Sequence, residues 1–164
     1  ITNMKLIKGI LTFLALSLAI NSSSFAHKYK FESLEIIKPH LRETPPGATV
    51  AAGYLIINNF GVGDDVLISA HSSISQKTEI HEMKIENDIM KMRKVKDGLE
   101  IKSGATLQLR SGGHHLMFIE LKTPIIEGDT HEITLYFRKS GALNIPFKVW
   151  EPIGSKKAHP EHHH

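Results

Sequence analysis

The chain has no cysteine among its 164 residues. Disulfides are therefore excluded, and stability has to come from a packed core. Any bound metal must be held without thiolate, which rules out a mononuclear blue-copper electron-transfer centre. Other functional signals are also missing. No basic run is interleaved with aromatic residues, so the composition gives no nucleic-acid surface. Asp64-Asp65 and Asp97 stand in turns without an oxygen-rich loop around them, so they are not read as calcium ligands. Neither a Ser-His-Asp order nor a pair of carboxylates stands out as a catalytic set, and the expectation is a protein that is not an enzyme. No long segment keeps a helical period, and no repeat or linker divides the chain.

What is present begins with a targeting pattern. Met4 is read as the translation start, Lys5 and Lys8 as a basic region, and Ile10 to Ile20 as an apolar stretch too short to span a bilayer comfortably. Ser24 and Ala26 place small residues where a signal peptidase reads, so residues 1–26 are expected to be a signal peptide cleaved after Ala26. Losing Lys5 and Lys8 lowers the formal charge from +3 to +1. The pattern fits an exported, periplasmic protein of a bacterial envelope, with no membrane insertion of the mature chain and no nucleic-acid partner. Residues 27–153 then form one domain. Residues 154–164 are polar, lack core formers and are expected to be disordered. Their His159 and His162 to His164 are either native or derived from a purification tag, and offer a secondary Cu(II) site.

Between the two ends the chain reads as short strands separated by turns. The predicted strands are Leu34–Ile37, Thr49–Asn58, Val66–His71, Lys77–Lys84, Ile89–Val95, Ala105–Arg110, His115–Lys122, His131–Arg138 and Leu143–Val149. Turn signals recur mostly every 8–12 residues or so, which suits an all-β sandwich or barrel. The alternating Lys91, Arg93, Lys94 and Lys96 read as the wet face of a strand.

Three short segments carry metal-ligating residues two apart: His81 and Met83, Met90 and Met92, and His115 and Met117. Residues two apart on a strand face the same way, so each pair can present both side chains to one point. Imidazole and neutral thioether donors suit copper, above all Cu(I). Four of the five methionines lie in this region, and the fifth is Met4 in the signal segment. Pairing about the Asn87-Asp88 turn would set His81 and Met83 opposite Met90 and Met92, in a register the sequence leaves open. His40, His71 and His131 read as surface or packing residues, and Trp150 as a core or edge anchor. His27 would be the mature N-terminus.

The spacing resembles the periplasmic copper chaperones of the PCu(A)C family. Ten residues separate His81 from Met92, and twenty-two separate Met92 from His115-Leu-Met117, one more than that family's usual second gap. Thr44 to Leu55, Asn58 and Ser111-Gly-Gly113 resemble the family too, so the likeness covers nearly all of residues 34–150. It implies a cupredoxin-like β-sandwich with His81, Met92, His115 and Met117 as copper ligands. His114 fits the usual gap but would leave no Met two residues on. Met83, Met90 and His114 remain auxiliary candidates. The resemblance further implies a Cu(I) metallochaperone that serves a respiratory oxidase. Its partners would be the copper-site subunit of cytochrome c oxidase, at the binuclear copper site, and a Sco-type protein. The alternative is a periplasmic copper buffer or resistance protein without a dedicated acceptor.

Overall fold

The structure is a computed structural model and describes residues 27–150. The expected signal segment and the His-rich tail lie outside the described residues. Eleven strands account for the regular structure, with no helix among the described residues. They are β1 (Lys28–Phe31), β2 (Leu34–Leu41), β3 (Val50–Asn59), β4 (Asp65–His71), β5 (Ser75–Glu86), β6 (Ile89–Lys94), β7 (Leu99–Ile101), β8 (Thr106–Leu109), β9 (His114–Leu121), β10 (Thr130–Phe137) and β11 (Gly141–Val149). The nine expected strands are all present with shifted ends. The short β1 and β7 have too few residues for a period-two pattern to show.

Hydrogen bonding runs in the order β6-β5-β9-β3-β2-β11-β10-β4-β7, with β1 on β2 and β8 on β3. All pairings are antiparallel except β2 with β11. The two halves of this sheet meet at β2. It pairs with β3 before and after its middle, while its other edge pairs with β1 over residues 34–37 and with β11 at His40 and Leu41. A register shift between Ile37 and His40, with Lys38 at φ 50°, separates the two roles. Leu34 and Ile36 are buried before the shift and Leu41 after it, so the inward parity changes by one. A bulge of this kind lets one strand serve both halves and turns His40 to the outer face.

Both halves point alternate residues into one core. Leu55 and Ile57 of β3, Leu116 and Phe118 of β9, Ile133 and Leu135 of β10, and Ile145 and Phe147 of β11 are all buried in it. β3 and β9 pack so closely that Gly53 has no room for a side chain. A Cβ there would meet Phe118 Cε2 at 2.9 Å and Leu41 Cδ2 at 3.2 Å. The buried Asp65 ties the opposite end together. Its carboxylate accepts from the N–H groups of Val66, Lys139 and Ser140 and from the Ser140 hydroxyl. Burial pushes this carboxyl up, but the four hydrogen bonds together outweigh it and hold it below the usual aspartate value.

The β5–β6 hairpin leaves the core. All six residues of β6 are exposed. Asn87 and Asp88, both at positive φ (52° and 60°), make a two-residue turn that pairs Glu86 with Ile89. That turn fixes everything above it.

Two stability predictions follow from these contacts. Gly53→Ala should lose about 1–3 kcal/mol to overpacking, read from the urea midpoint; an unchanged midpoint would contradict the packing. Because the Asp65 carboxyl is lowered in the folded state, its stabilisation is full above the unfolded value of about 3.9 and is lost as pH falls through the folded one. Asp65→Asn should therefore cost about 1–3 kcal/mol at neutral pH and flatten the acid limb of the stability curve.

Candidate metal centre

Strand pairing determines which donors meet. β5 pairs with β9 so that His81 stands opposite His115 and Glu79 opposite Met117. β5 pairs with β6 so that Met83 stands opposite Met92, His81 opposite Lys94 and Ile85 opposite Met90. Directly opposed residues share a sheet face, as do residues two apart along a strand. His81, Met83, Met90, Met92, His115 and Met117 therefore occupy one face, the outer one. The core-facing residues Ile80, Leu116 and Phe118 lie on the other.

This corrects the expected hairpin pairing in part. Met83 and Met92 do face each other, but His81 faces Lys94 and Met90 faces Ile85, because the two-residue turn sets the register. Met117 and Met92 flank the row of imidazoles on opposite sides, and Met83 lies between Met92 and that row. His114 takes the opposite face of β9 from His115. It stands across from Glu82, with its Nε2 3.5 Å from Glu82 Oε1, and so points away from the thioethers. Glu82 is half-buried beside His114 and Lys84.

The two imidazoles sit with ring centroids 5.8 Å apart in an edge-on arrangement. Each has one nitrogen committed. His115 Nδ1 lies 3.1 Å from the Gly113 carbonyl oxygen. A carbonyl only accepts, so Nδ1 carries the proton and Nε2 keeps its lone pair. His81 Nε2 lies 2.9 Å from Glu79 Oε2, so in the neutral ring Nε2–H donates to the carboxylate. The remaining nitrogen, His81 Nδ1, is buried and has no partner in the protein. Leaving a buried acceptor unpaired costs about 1–3 kcal/mol. A metal ion at Nδ1 would supply what is missing.

Burial favours the neutral form of the His115 imidazole. Burial, more than the neighbouring His81 and His114, lowers the His115 imidazole below its ordinary value, against the raising effect of the Gly113 hydrogen bond. Hydrogen bonds from His81 and then Lys94 hold the Glu79 carboxyl below the usual range. Glu79 thus stays ionised and bridges His81 to Lys94, whose ammonium donates to Oε1 at 2.7 Å. The other β6 cations, Lys91 and Arg93, pair with Glu86. Among the described residues no cluster of three or more His, Asp or Glu could hold a metal.

Two participants escaped the sequence reading. Glu79 is two residues before His81 on the same strand face, and strict alternation would have exposed it. His40 seemed remote from the site. In the structure its ring stacks on Trp150 at 4.4 Å and lies 5.3 Å from Tyr54, whose ring is 6.5 Å from His115. This aromatic row walls one side of His115 and borders a cavity of ≈ 270 Å³ over Leu55, Ile56 and Leu109. Burial, chiefly, lowers the His40 imidazole as well. His71 is exposed, and His131 is half-buried on β10.

A carboxylate behind a ligating imidazole fixes its tautomer and raises its basicity. Glu79→Gln should therefore weaken metal binding by about 10–100-fold without unfolding the protein, measured by chelator competition. Unchanged affinity would remove Glu79 from the site.

Comparison with known proteins places this geometry. Residues 34–149 match the family model described as "Putative lipoprotein LpqE-like". A curated relative, "Putative lipoprotein Lxx21020" from Leifsonia xyli subsp. xyli (strain CTCB07), is 31% identical over 126 residues, covering 77% of this chain and 75% of that protein. Two solved structures share the fold. The copper-bound PCuAC domain from PmoF2 is 24% identical, with TM-score 0.65, and covers 77% of this chain and 99% of its own. The solution structure of CuI-DR1885 from Deinococcus radiodurans is 24% identical, with TM-score 0.57, and covers 79% of this chain and 85% of its own. The word lipoprotein describes those relatives. The chain has the all-β, cupredoxin-like fold of the PCuAC domains, and it belongs to the LpqE-like family.

Proposed function

We propose that the protein is an exported carrier of Cu(I) in the periplasm, which it hands to a respiratory oxidase. One observation carries this reading. Two imidazoles with shared surroundings each have one nitrogen tied to the protein and the other left as a lone pair, one of these buried without a partner. A metal–imidazole bond of about 2 Å puts each ring centroid about 3 Å from the ion. Centroids 5.8 Å apart therefore suit one ion held between both rings at a wide angle.

The donor set selects the metal. Met117 joins His115 from the same strand face, and Met92 reaches in from the hairpin past Met83. Two nitrogens and two thioethers carry no charge, which favours the soft closed-shell Cu(I) over Cu(II) and over hard divalent ions. The fold neighbours described above were solved with copper and with Cu(I) bound, which supports the same cargo here.

Handover is favoured over storage by exposure. Met92 is 44% exposed, whereas His115 is 5% exposed. The ion is therefore anchored on the buried side and open on the other. A partner's ligands can replace the thioethers one at a time, each step breaking one weak bond. By resemblance the acceptor is the binuclear copper site of cytochrome c oxidase, with a Sco-type thiol protein assisting.

His115→Ala and Met117→Ala should each lower Cu(I) affinity by more than about tenfold, since even partners behind a ligand are worth that much. Copper-loaded protein mixed with the soluble copper-site domain of an oxidase should lose its metal to that domain. Retention of the metal would favour a buffer without a dedicated acceptor. Unchanged affinity in both variants would contradict the site itself.

A further inference from the structure

The hairpin carries more thioethers than the imidazole site uses. Its turn sets Met83 opposite Met92 on one face, and Met90 lies two residues before Met92 on that same face. The three α-carbons mark a right-angled triangle, one strand spacing of about 4.8 Å by one two-residue repeat of about 6.7 Å. A point above its middle projects about 4 Å from each α-carbon, within reach of an unbranched side chain with three rotatable bonds.

Packing does not account for these residues. Met90 is 62% exposed and Met92 44% exposed, on a strand with no buried position. Nor does an unpaired cation stand among them. Lys94, on the same face, is bound to Glu79, and Lys91 and Arg93 face the other way onto Glu86. Exposure falls steadily along the face, from Met90 through Met92 and the half-buried Met83 to the His81 side chain at 14% and His115 at 5%.

We infer that Met83, Met90 and Met92 form a second Cu(I) site, made only of thioethers, through which the ion enters and leaves the imidazole site. The inference rests on the Cu(I)-carrier reading and adds a residence for the ion outside it. Three neutral sulfurs suit a soft monovalent ion and no hard one. Met92 borders both donor sets and serves as the shared member. With one ion bound it completes the imidazole site; with two, it stays with Met83 and Met90, and His81, His115 and Met117 hold the inner ion. Movement between the sites is ligand exchange: a copper–sulfur bond breaks as a copper–nitrogen bond forms. Copper remains Cu(I), and no electron moves.

The test uses the full chain under anaerobic conditions with Cu(I), bicinchoninate competition and copper X-ray absorption. Wild type should take up a second equivalent of Cu(I) whose first shell is sulfur alone. The volume-conserving variant M83L/M90L should keep the first equivalent with its mixed nitrogen–sulfur shell, at an affinity within about threefold of wild type. It should lose the second equivalent and yield the first to bathocuproine disulfonate at least about tenfold more slowly. An unchanged urea midpoint shows that the variant is folded. A single equivalent in wild type, a second equivalent bound by nitrogen or oxygen, or wild-type release from the variant would each overturn the outer site while leaving the carrier reading intact. Failure of wild type to bind even the first equivalent would overturn the carrier reading and the outer site with it.

Discussion

The register between β5 and β9 is the constraint on which the site depends. It sets His81 beside His115, and it is held by apolar pairs on the reverse of the same strands. Ile80 and Leu116 are opposite one another and buried, and Phe118 fills the space that Gly53 leaves on β3. Slipping β5 by one residue against β9 would send His81 into the core, bring Ile80 to the surface and part the two imidazoles. Hydrophobic burial on one face therefore fixes metal geometry on the other. The hairpin turn plays the same part for the thioethers, since two residues at positive φ leave only one register for β6.

Each imidazole has one ring nitrogen engaged by the protein. The Gly113 carbonyl engages His115 Nδ1 and the Glu79 carboxylate engages His81 Nε2, which leaves the second nitrogen of each ring to an ion. The unpaired His81 Nδ1 is a cost to the free protein that a bound ion removes, so the site is preorganised at the expense of stability. The absence of cysteine belongs to the same logic. Neutral sulfur and nitrogen bind a soft ion strongly enough together to carry it and weakly enough one by one to release it.

Much of the fold was legible in the sequence because its strands alternate cleanly. Thr134-Leu-Tyr-Phe announces itself by period two, and the Asn87-Asp88 turn by composition. The single domain of strands and the shared face of the His/Met pairs followed from the same period. The rest depended on registers that local sequence does not carry. The shift between Ile37 and His40 turns His40 toward Tyr54 and Trp150, and nothing in Lys38-Pro39 alone announces it. The choice between His114 and His115 is a matter of which face β9 buries, which shows only once Leu116 and Phe118 are in the core. Glu79 was legible and was missed, because an acidic residue beside a lysine reads as ordinary strand surface.

The central claim is that one nitrogen of each imidazole is held free for the ion, and the most direct measurement of it is the nitrogen NMR of the two rings. Long-range proton–nitrogen spectra of the metal-free protein should show His81 as the Nε2–H tautomer and His115 as the Nδ1–H tautomer. Adding one equivalent of Cu(I) should move the resonances of His81 Nδ1 and His115 Nε2 and leave both tautomers unchanged. The opposite tautomers, or a response confined to His40, His114 or the C-terminal histidines, would contradict the account.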